Sequence, residues 1–111
     1  MLELREYRVE GGPSPFRQWF DRLNSEAARR VTTSLYRLGL GNFSNVKAVG
    51  GGVSECKINF GPGYRVYFAK DGEEIVILLG GGTKQRQQDD IKEAQARWRD
   101  YKGKKQTNSE N

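Results

Sequence analysis

The chain is 111 residues long, a length that fits one domain with one hydrophobic core. Nineteen Lys and Arg residues against 14 Asp and Glu give a net charge of +5, which favours a polyanionic partner such as nucleic acid, although many small basic proteins bind none. The chain contains no histidine, which excludes a Ser-His-Asp triad, a histidine-ligated metal and imidazole acid–base chemistry.

The first half of the chain predicts one strand followed by two helices. Residues 2–9, LELREYRV, alternate loosely between apolar and polar and indicate a strand. One helix begins at Pro15 with Ser14 as its N-cap, and a second follows Asn24 with Ser25 as its N-cap. Helical spacing of apolar residues predicts buried faces made of Phe16, Trp19, Phe20 and Leu23 in the first helix and Ala28, Val31, Leu35 and Leu38 in the second.

The second half changes to a period of two and then returns to a helix. Residues 42–52 indicate a flexible loop, and residues 53–60, 64–70 and 73–80 predict a three-stranded antiparallel meander. Residues 83–102 predict a last helix with an apolar face made of Ile91, Ala94, Trp98 and Tyr101. The order β-α-α-β-β-β-α predicts one α+β domain, residues 1–103, with its helices packed on one face of a mostly antiparallel sheet. Residues 104–111 are polar and predict a disordered tail.

Two features of the apolar content bear on location and redox chemistry. No run of about eighteen apolar residues occurs, and the N-terminus carries charges in place of an apolar leader, so we expect a soluble, cytoplasmic protein without membrane contact. The one cysteine, Cys56, rules out an internal disulfide and a cysteine-based metal site. Its parity on its strand predicts a small buried hydrophobe.

Strand alternation separates a set of polar side chains from the predicted core. After the turn Gly-Pro-Gly, Arg65 and Tyr67 alternate with apolar residues of the same strand. If the hairpin pairs across that turn, Lys57 and Asn59 lie beside them. We therefore expect these four side chains to share the face away from the helix-packed core.

A second group of cations follows the third strand of the meander. In GGGTKQRQ the glycines allow a tight bend, and Lys84 and Arg86 open the last helix, whose N-terminus adds partial positive charge. The spacing in GGGTK is not that of a nucleotide-binding P-loop, so we reject that interpretation. Each cation taken alone could instead be an ordinary solvated side chain.

Three motifs between Gly52 and Ala94 resemble those of the RelE/ParE superfamily of toxins, and most closely its HigB-like branch of addiction-module killer proteins. They are the hairpin FGPGYRVYF, the bend LLGGG-T-K and the helix start Q-x-D-I-x-x-A. The resemblance implies a RelE-like fold and a ribosome-dependent endoribonuclease. Because the chain has no histidine, one cysteine of buried parity and no paired carboxylates on a common strand face, we expect this activity to need no metal or other cofactor. The resemblance also implies a cognate helix-turn-helix antitoxin, with operator DNA contacted only through the toxin–antitoxin complex.

The same resemblance implies roles for individual residues. Arg65 matches the hairpin arginine that contacts the scissile phosphate, and Lys57 matches a lysine of the preceding strand. Lys84 and Arg86 match basic residues after the last strand, with Gln85 as an alternative occupant of that position. Two residues depart from the family pattern, since a second strand lysine is replaced by Asn59 and a tyrosine found in some members by Ile91. We predict a catalytic set of Lys57, Arg65, Tyr67, Lys84 and Arg86, and an RNA-binding pair of Asn59 and Gln85.

The implied chemistry is attack of a ribose 2′-hydroxyl on the adjacent phosphate, which leaves a 2′,3′-cyclic phosphate and a 5′-hydroxyl. Arginine suits the phosphate because its planar fork binds two oxygens at once. Lys57 is a candidate base, and Tyr67 or a lysine a candidate donor to the leaving oxygen. Two other functions stay open: a non-cleaving toxin that inhibits DNA gyrase, as in the ParE branch, and a basic nucleic-acid-binding accessory domain.

Overall fold

The computed structural model describes the backbone of residues 1–110 and the side chains of residues 1–105. Its strands are β1 (Glu3–Glu6), β2 (Val46–Gly50), β3 (Val53–Ile58), β4 (Tyr64–Asp71) and β5 (Ile75–Thr83), and its helices are α1 (Pro15–Asp21), α2 (Ser25–Gly39) and α3 (Gln87–Glu110). The strands form one sheet in the order β1-β5-β4-β3-β2. Only the β1–β5 pair is parallel within this described sheet. The predicted α+β class and mostly antiparallel sheet are confirmed.

The first two helices begin at polar residues that cap them. The Ser14 Oγ accepts a hydrogen bond from the backbone N–H of Arg17 at 3.0 Å, so Ser14 caps α1 as predicted. The cap of α2 is Asn24, whose Oδ1 accepts from the N–H of Ala27 at 2.9 Å. Ser25, the predicted cap, is instead the first residue of α2.

The helices cover both faces of the sheet, which corrects the prediction that they pack on one. α1 and α2 pack on the face that carries Val66 and Phe68. α3 packs on the opposite face, where Ala94 and Trp98 join the cluster that contains Tyr67. Because β4 and β5 are covered on both sides, side chains of both parities are buried along most of their length.

The segment predicted as a flexible loop contains the edge strand β2. It pairs antiparallel with β3, with Val46 opposite Cys56. Val46 and Val49 are only partly buried, so the hydrophobic pattern of this segment is weak and pairing with β3 determines its conformation. Cys56 is buried, as predicted, and burial raises the pKa of its thiol.

The last helix is longer than predicted. α3 runs to Glu110 and so includes residues 104–110 of the predicted tail, whereas Asn111 lies outside the described residues. Lys104 pairs with Asp100 at 3.0 Å one turn earlier, and Lys105 pairs with Asp71 of β4, which extends the contact between helix and sheet. No helix among the described residues is long and apolar enough to cross a membrane.

Candidate functional site

Arg65 lies inside the molecule and not on an open face of the sheet. Strand pairing places it between Lys57 on β3 and Gly82 on β5. Its side chain is only 6% exposed, because α3 covers the face on which it was predicted to stand free. Its Nε lies 3.7 Å from Oε1 of Glu55, and its Nη1 donates to the carbonyl oxygen of Gly63 at 3.1 Å. The predicted parity is correct, but the prediction of a face away from the helices is wrong.

Glu55 is the buried partner of Arg65, and sequence reasoning missed it. Its Oε2 accepts a hydrogen bond from Nε2 of Gln87 at 2.9 Å. Since Gln87 is the first residue of α3, this bond ties the helix start to β3. A signal was present, because Glu55 has the same strand parity as Lys57. What the pattern did not show is that a helix covers that end of the polar face.

Tyr67 is fully buried beneath α3 and cannot meet a substrate in this conformation. Its exposed fraction is 0%, and its hydroxyl has no hydrogen-bond partner among the described residues. Burial raises the pKa of the phenol, and the negative charge of Glu55 adds to the effect. The expected position of Tyr67 on an accessible face is therefore corrected, because the packing of α3 closes that face.

The cations after β5 lie on a short exposed turn. Lys84, Gln85 and Arg86 form one turn of 3₁₀-helix between β5 and α3, and all three are exposed. The backbone N–H of Lys84 donates to the carbonyl oxygen of Gly63 at 3.1 Å, the same oxygen that accepts from Arg65. This shared acceptor brings the hairpin arginine and the post-strand turn together.

Lys57 and Asn59 lie on the side of Arg65 away from β5. Lys57 is part of β3, and Asn59 directly follows this strand. Both are exposed, unlike Glu55 two residues before Lys57. Neighbouring strands are about 4.8 Å apart, so Lys57 and the Gly82 backbone are separated by about 10 Å across Arg65. The structure therefore brings together four predicted cations, three exposed and one buried. We call this set the basic edge: Lys57, Arg65, Lys84 and Arg86.

A cleft of about 350 Å³ opens beside the basic edge, between α1 and the start of α3. Its floor is the end of β5, where the pairing with β1 has stopped at Leu78. Sequence reasoning assigned only Arg86 of its residues to a site. The others that matter chemically are Trp19, Arg22, Asp90, Glu93 and Arg97.

Two glycines of β5, Gly81 and Gly82, make room for this cleft. A Cβ at Gly81 would overlap the Trp19 ring, and a Cβ at Gly82 would overlap the Asp90 carboxylate. The predicted tight bend is absent, because β5 continues through these glycines to Thr83. The glycines instead allow the close approach of side chains from two helices. Burial raises the pKa of the Asp90 carboxyl, and the nearby positive charge of Arg86 opposes the rise.

Metal-ligating side chains do not gather at this site. Across the residues that the structure describes, no three Cys, Asp or Glu side chains are grouped so that they could hold a metal ion.

Comparison with known proteins identifies one related protein, whose printed name states no activity. No protein-family model matches the chain. An uncharacterized protein of Haemophilus influenzae, strain Rd, is 41% identical over 80 residues, which cover 71% of this chain and 81% of that protein. The chain therefore belongs to the same family as that H. influenzae protein.

Proposed function

We propose that this protein is the toxin of a type II toxin–antitoxin module, a HigB-like member of the RelE/ParE superfamily that cleaves messenger RNA on the ribosome. The observation that carries the proposal is the meeting of Arg65 and Lys84 at the carbonyl oxygen of Gly63. Arg65 donates to this oxygen from its guanidinium and Lys84 from its backbone N–H, so the two residues lie side by side, and two neighbouring cations suit the charge that builds on a phosphate in the transition state. Lys57 and Arg86 extend this positive charge to either side.

In the proposed reaction the ribose 2′-oxygen bonds to the adjacent phosphorus while the bond from phosphorus to the 5′-oxygen breaks. The 2′-hydroxyl proton passes to Lys57 as base, and the leaving 5′-oxygen takes a proton from Lys84. Arg65 binds the non-bridging oxygens, with Glu55 holding its guanidinium in place. Tyr67, whose hydroxyl is enclosed, receives no role in proton transfer.

Arg65 can bind a phosphate only when its guanidinium is uncovered. Gln87, the first residue of α3, lies beside the ion pair, because its Nε2 donates to Oε2 of Glu55 at 2.9 Å. Arg86 and Gln88, on either side of Gln87, are exposed. The proposal therefore includes rotation of the Gln87 side chain away from Glu55 when RNA binds, while the backbone of this turn, and with it Asp90, stays in place.

The wider biology follows from the resemblance of the three motifs. The proposed protein acts in the cytoplasm, where ribosomes and messenger RNA are its targets. A helix-turn-helix antitoxin neutralises it, and the complex of the two binds operator DNA. The net charge of +5 supports an RNA partner.

The test is a cell-free translation reaction in which primer extension maps cut sites on the messenger RNA. We expect cuts in translated RNA and an intact RNA when ribosomes are left out. Lys84→Ala should lower the cleavage rate about 100-fold, because it removes one transition-state cation. Lys92→Ala is the matched control, since it removes an exposed lysine of α3 outside the basic edge. A folded protein that stops growth and leaves the RNA uncut would contradict cleavage.

A further inference from the structure

We infer that the cleft between α1 and α3 binds the base of the messenger RNA next to the scissile phosphate, and that this base is guanine. The inference rests on the proposed function and adds the part of the substrate that the site selects. The cleft adjoins the basic edge directly, because Arg86 lines it and Gly82 of its floor is the cross-strand partner of Arg65. A volume of about 350 Å³ lies in the range of small-ligand sites.

Trp19 supplies an aromatic surface for a base. Its ring is only partly buried, and it is held in place by Gly81 beneath it and by Tyr64, whose ring lies edge-on at a centroid distance of 6.2 Å. Single-stranded RNA bases are commonly recognised by stacking on such rings. A ring already fixed by its neighbours loses little conformational entropy when a base stacks on it.

Asp90 supplies a hydrogen-bond acceptor that nothing else uses. Within the described residues it has no hydrogen bond and no ion pair, although Asp89, beside it in the chain, lies 3.9 Å from Arg86. The carboxylate is half-buried over Gly82. Guanine presents two neighbouring donors, N1–H and N2–H, that match the two oxygens of one carboxylate. Uracil presents one donor between two acceptors, and a carboxylate repels those acceptors.

The arginines of the cleft supply positive charge for the phosphates on either side of the base. Arg22 is exposed and has no ion pair among the described residues, and the Arg86 side chain is 63% exposed. Arg97 instead binds the protein backbone, since its Nη1 donates to the carbonyl oxygen of Leu79 at 3.0 Å. A nucleotide complements both the positive and the negative side chains of the cleft. Its phosphate can face the arginines while the N–H donors of its base face Asp90. An acidic peptide would instead bring a second carboxylate toward Asp90 and Glu93.

The test compares Asp90→Asn with Asp89→Asn, two substitutions that remove one charge from adjacent positions of α3. Cut sites are mapped in the translation reaction on messages in which the base at each position near the cut is varied. Wild-type protein should favour guanine over uracil at one fixed position by at least about tenfold. Asp90→Asn should lose that preference, because an amide offers one acceptor and one donor, whereas Asp89→Asn should keep it. Cleavage with equal use of the bases, or a preference unchanged by Asp90→Asn, overturns the inference and leaves the proposed function standing.

A binding measurement keeps the inference testable if the protein cuts no RNA. Guanosine 5′-monophosphate and uridine 5′-monophosphate are titrated separately into the purified protein, and the indole N–H signal of Trp19 is followed by NMR. We expect guanosine 5′-monophosphate to shift this signal and to bind at least about tenfold more tightly than uridine 5′-monophosphate. Thermal melting of both Asp variants checks that each is folded. A shift produced by an oligoglutamate peptide and not by the guanine nucleotide would assign the cleft to a protein partner and overturn the inference.

Discussion

Arg65 and Glu55 form a buried ion pair, and its effect on the stability of the fold can be measured separately from its effect on RNA cleavage. Both side chains are at most 6% exposed, and the Nε of Arg65 has no hydrogen-bond partner within the described residues. Pairs of this kind contribute little net stability, because desolvation of the two ions offsets their attraction. An arginine whose Nε lacks a hydrogen bond to the described residues is what we expect if the proposed substrate phosphate binds its guanidinium.

Arg65→Met should therefore both destabilise the protein and abolish cleavage. The loss leaves Glu55 buried without its counter-ion, which should lower the free energy of unfolding by about 3–5 kcal/mol in urea titrations. The double variant Glu55→Leu/Arg65→Met should recover most of that stability, since neither ion remains. It should not recover cleavage. A stable double variant that cleaves RNA at the wild-type rate would show that Arg65 is only structural.

Tyr67 gives a second test at the scale of one atom. Its hydroxyl is buried and has no hydrogen-bond partner in the part of the chain that the structure describes, so Tyr67→Phe should raise the free energy of unfolding by about 1 kcal/mol by removing an unsatisfied polar group. Cleavage by Tyr67→Phe should match wild type, because the enclosed hydroxyl transfers no proton in the proposed reaction. A variant that is stable and inactive would restore Tyr67 as the proton donor.

At the scale of elements, prediction from sequence succeeded where a pattern is local and failed where pairing or packing decides. The apolar stripe of α3 is confirmed, since Ala94 and Trp98 are buried with Ile91 and Tyr101 packed against the same cluster. β2 was missed because its conformation depends on β3. The side of the sheet that α3 covers was also missed, because strand parity separates two faces without saying which of them a helix covers.

The start of α2 offers a matched comparison of two adjacent residues. Asn24→Ala should lower the free energy of unfolding by about 1 kcal/mol, because it removes the side-chain acceptor of the Ala27 N–H. Ser25→Ala should have a much smaller effect, because Ser25 is exposed and already inside the helix. Urea titrations of both variants measure the difference. Equal costs, or a larger cost at Ser25, would contradict the assignment of Asn24 as the cap.

At the scale of the whole molecule, α3 is tied to the sheet by two tyrosines near its C-terminal half. The Tyr7 hydroxyl donates to Asp100 at 2.6 Å, and the Tyr101 hydroxyl donates to Asp71 at 2.6 Å. Burial, together with the neighbouring carboxylate, raises the pKa of each phenol to about 12 from its usual value near 10. These contacts join α3 to the region after β1 and to the end of β4.

The raised values predict how stability changes in alkali. Below pH 10 the phenols are protonated in both states, so their contribution is complete. Between about pH 10 and pH 12 the unfolded chain releases these protons while the folded protein keeps them, so stability falls. The stability advantage of wild type over Tyr7→Phe should therefore shrink by about 2–3 kcal/mol across this window. An advantage that is constant from pH 9 to about pH 12 would contradict the role of this contact.

Only part of the candidate site could be predicted. As with the fold, the predicted part depends on local sequence patterns and the missed part on packing between distant elements. Lys57, Lys84 and Arg86 could be grouped from strand order and turn position, and the structure brings their segments together around Gly63. The cleft beside them could not be predicted, because Trp19 and Asp90 belong to helices on opposite faces that meet only past the end of β1. Trp19 was predicted to be a core residue, and its partial exposure depends on that open edge of β5.

The chemistry of the RNA ends tests the proposed function most directly. Messenger RNA from a translation reaction containing the protein is isolated, and the ends at each mapped cut are identified. Attack by the 2′-hydroxyl predicts a 2′,3′-cyclic phosphate on the upstream fragment and a 5′-hydroxyl on the downstream fragment, both missing when Lys84→Ala replaces wild type. Intact RNA, or fragments that carry a 5′-phosphate, would contradict the account.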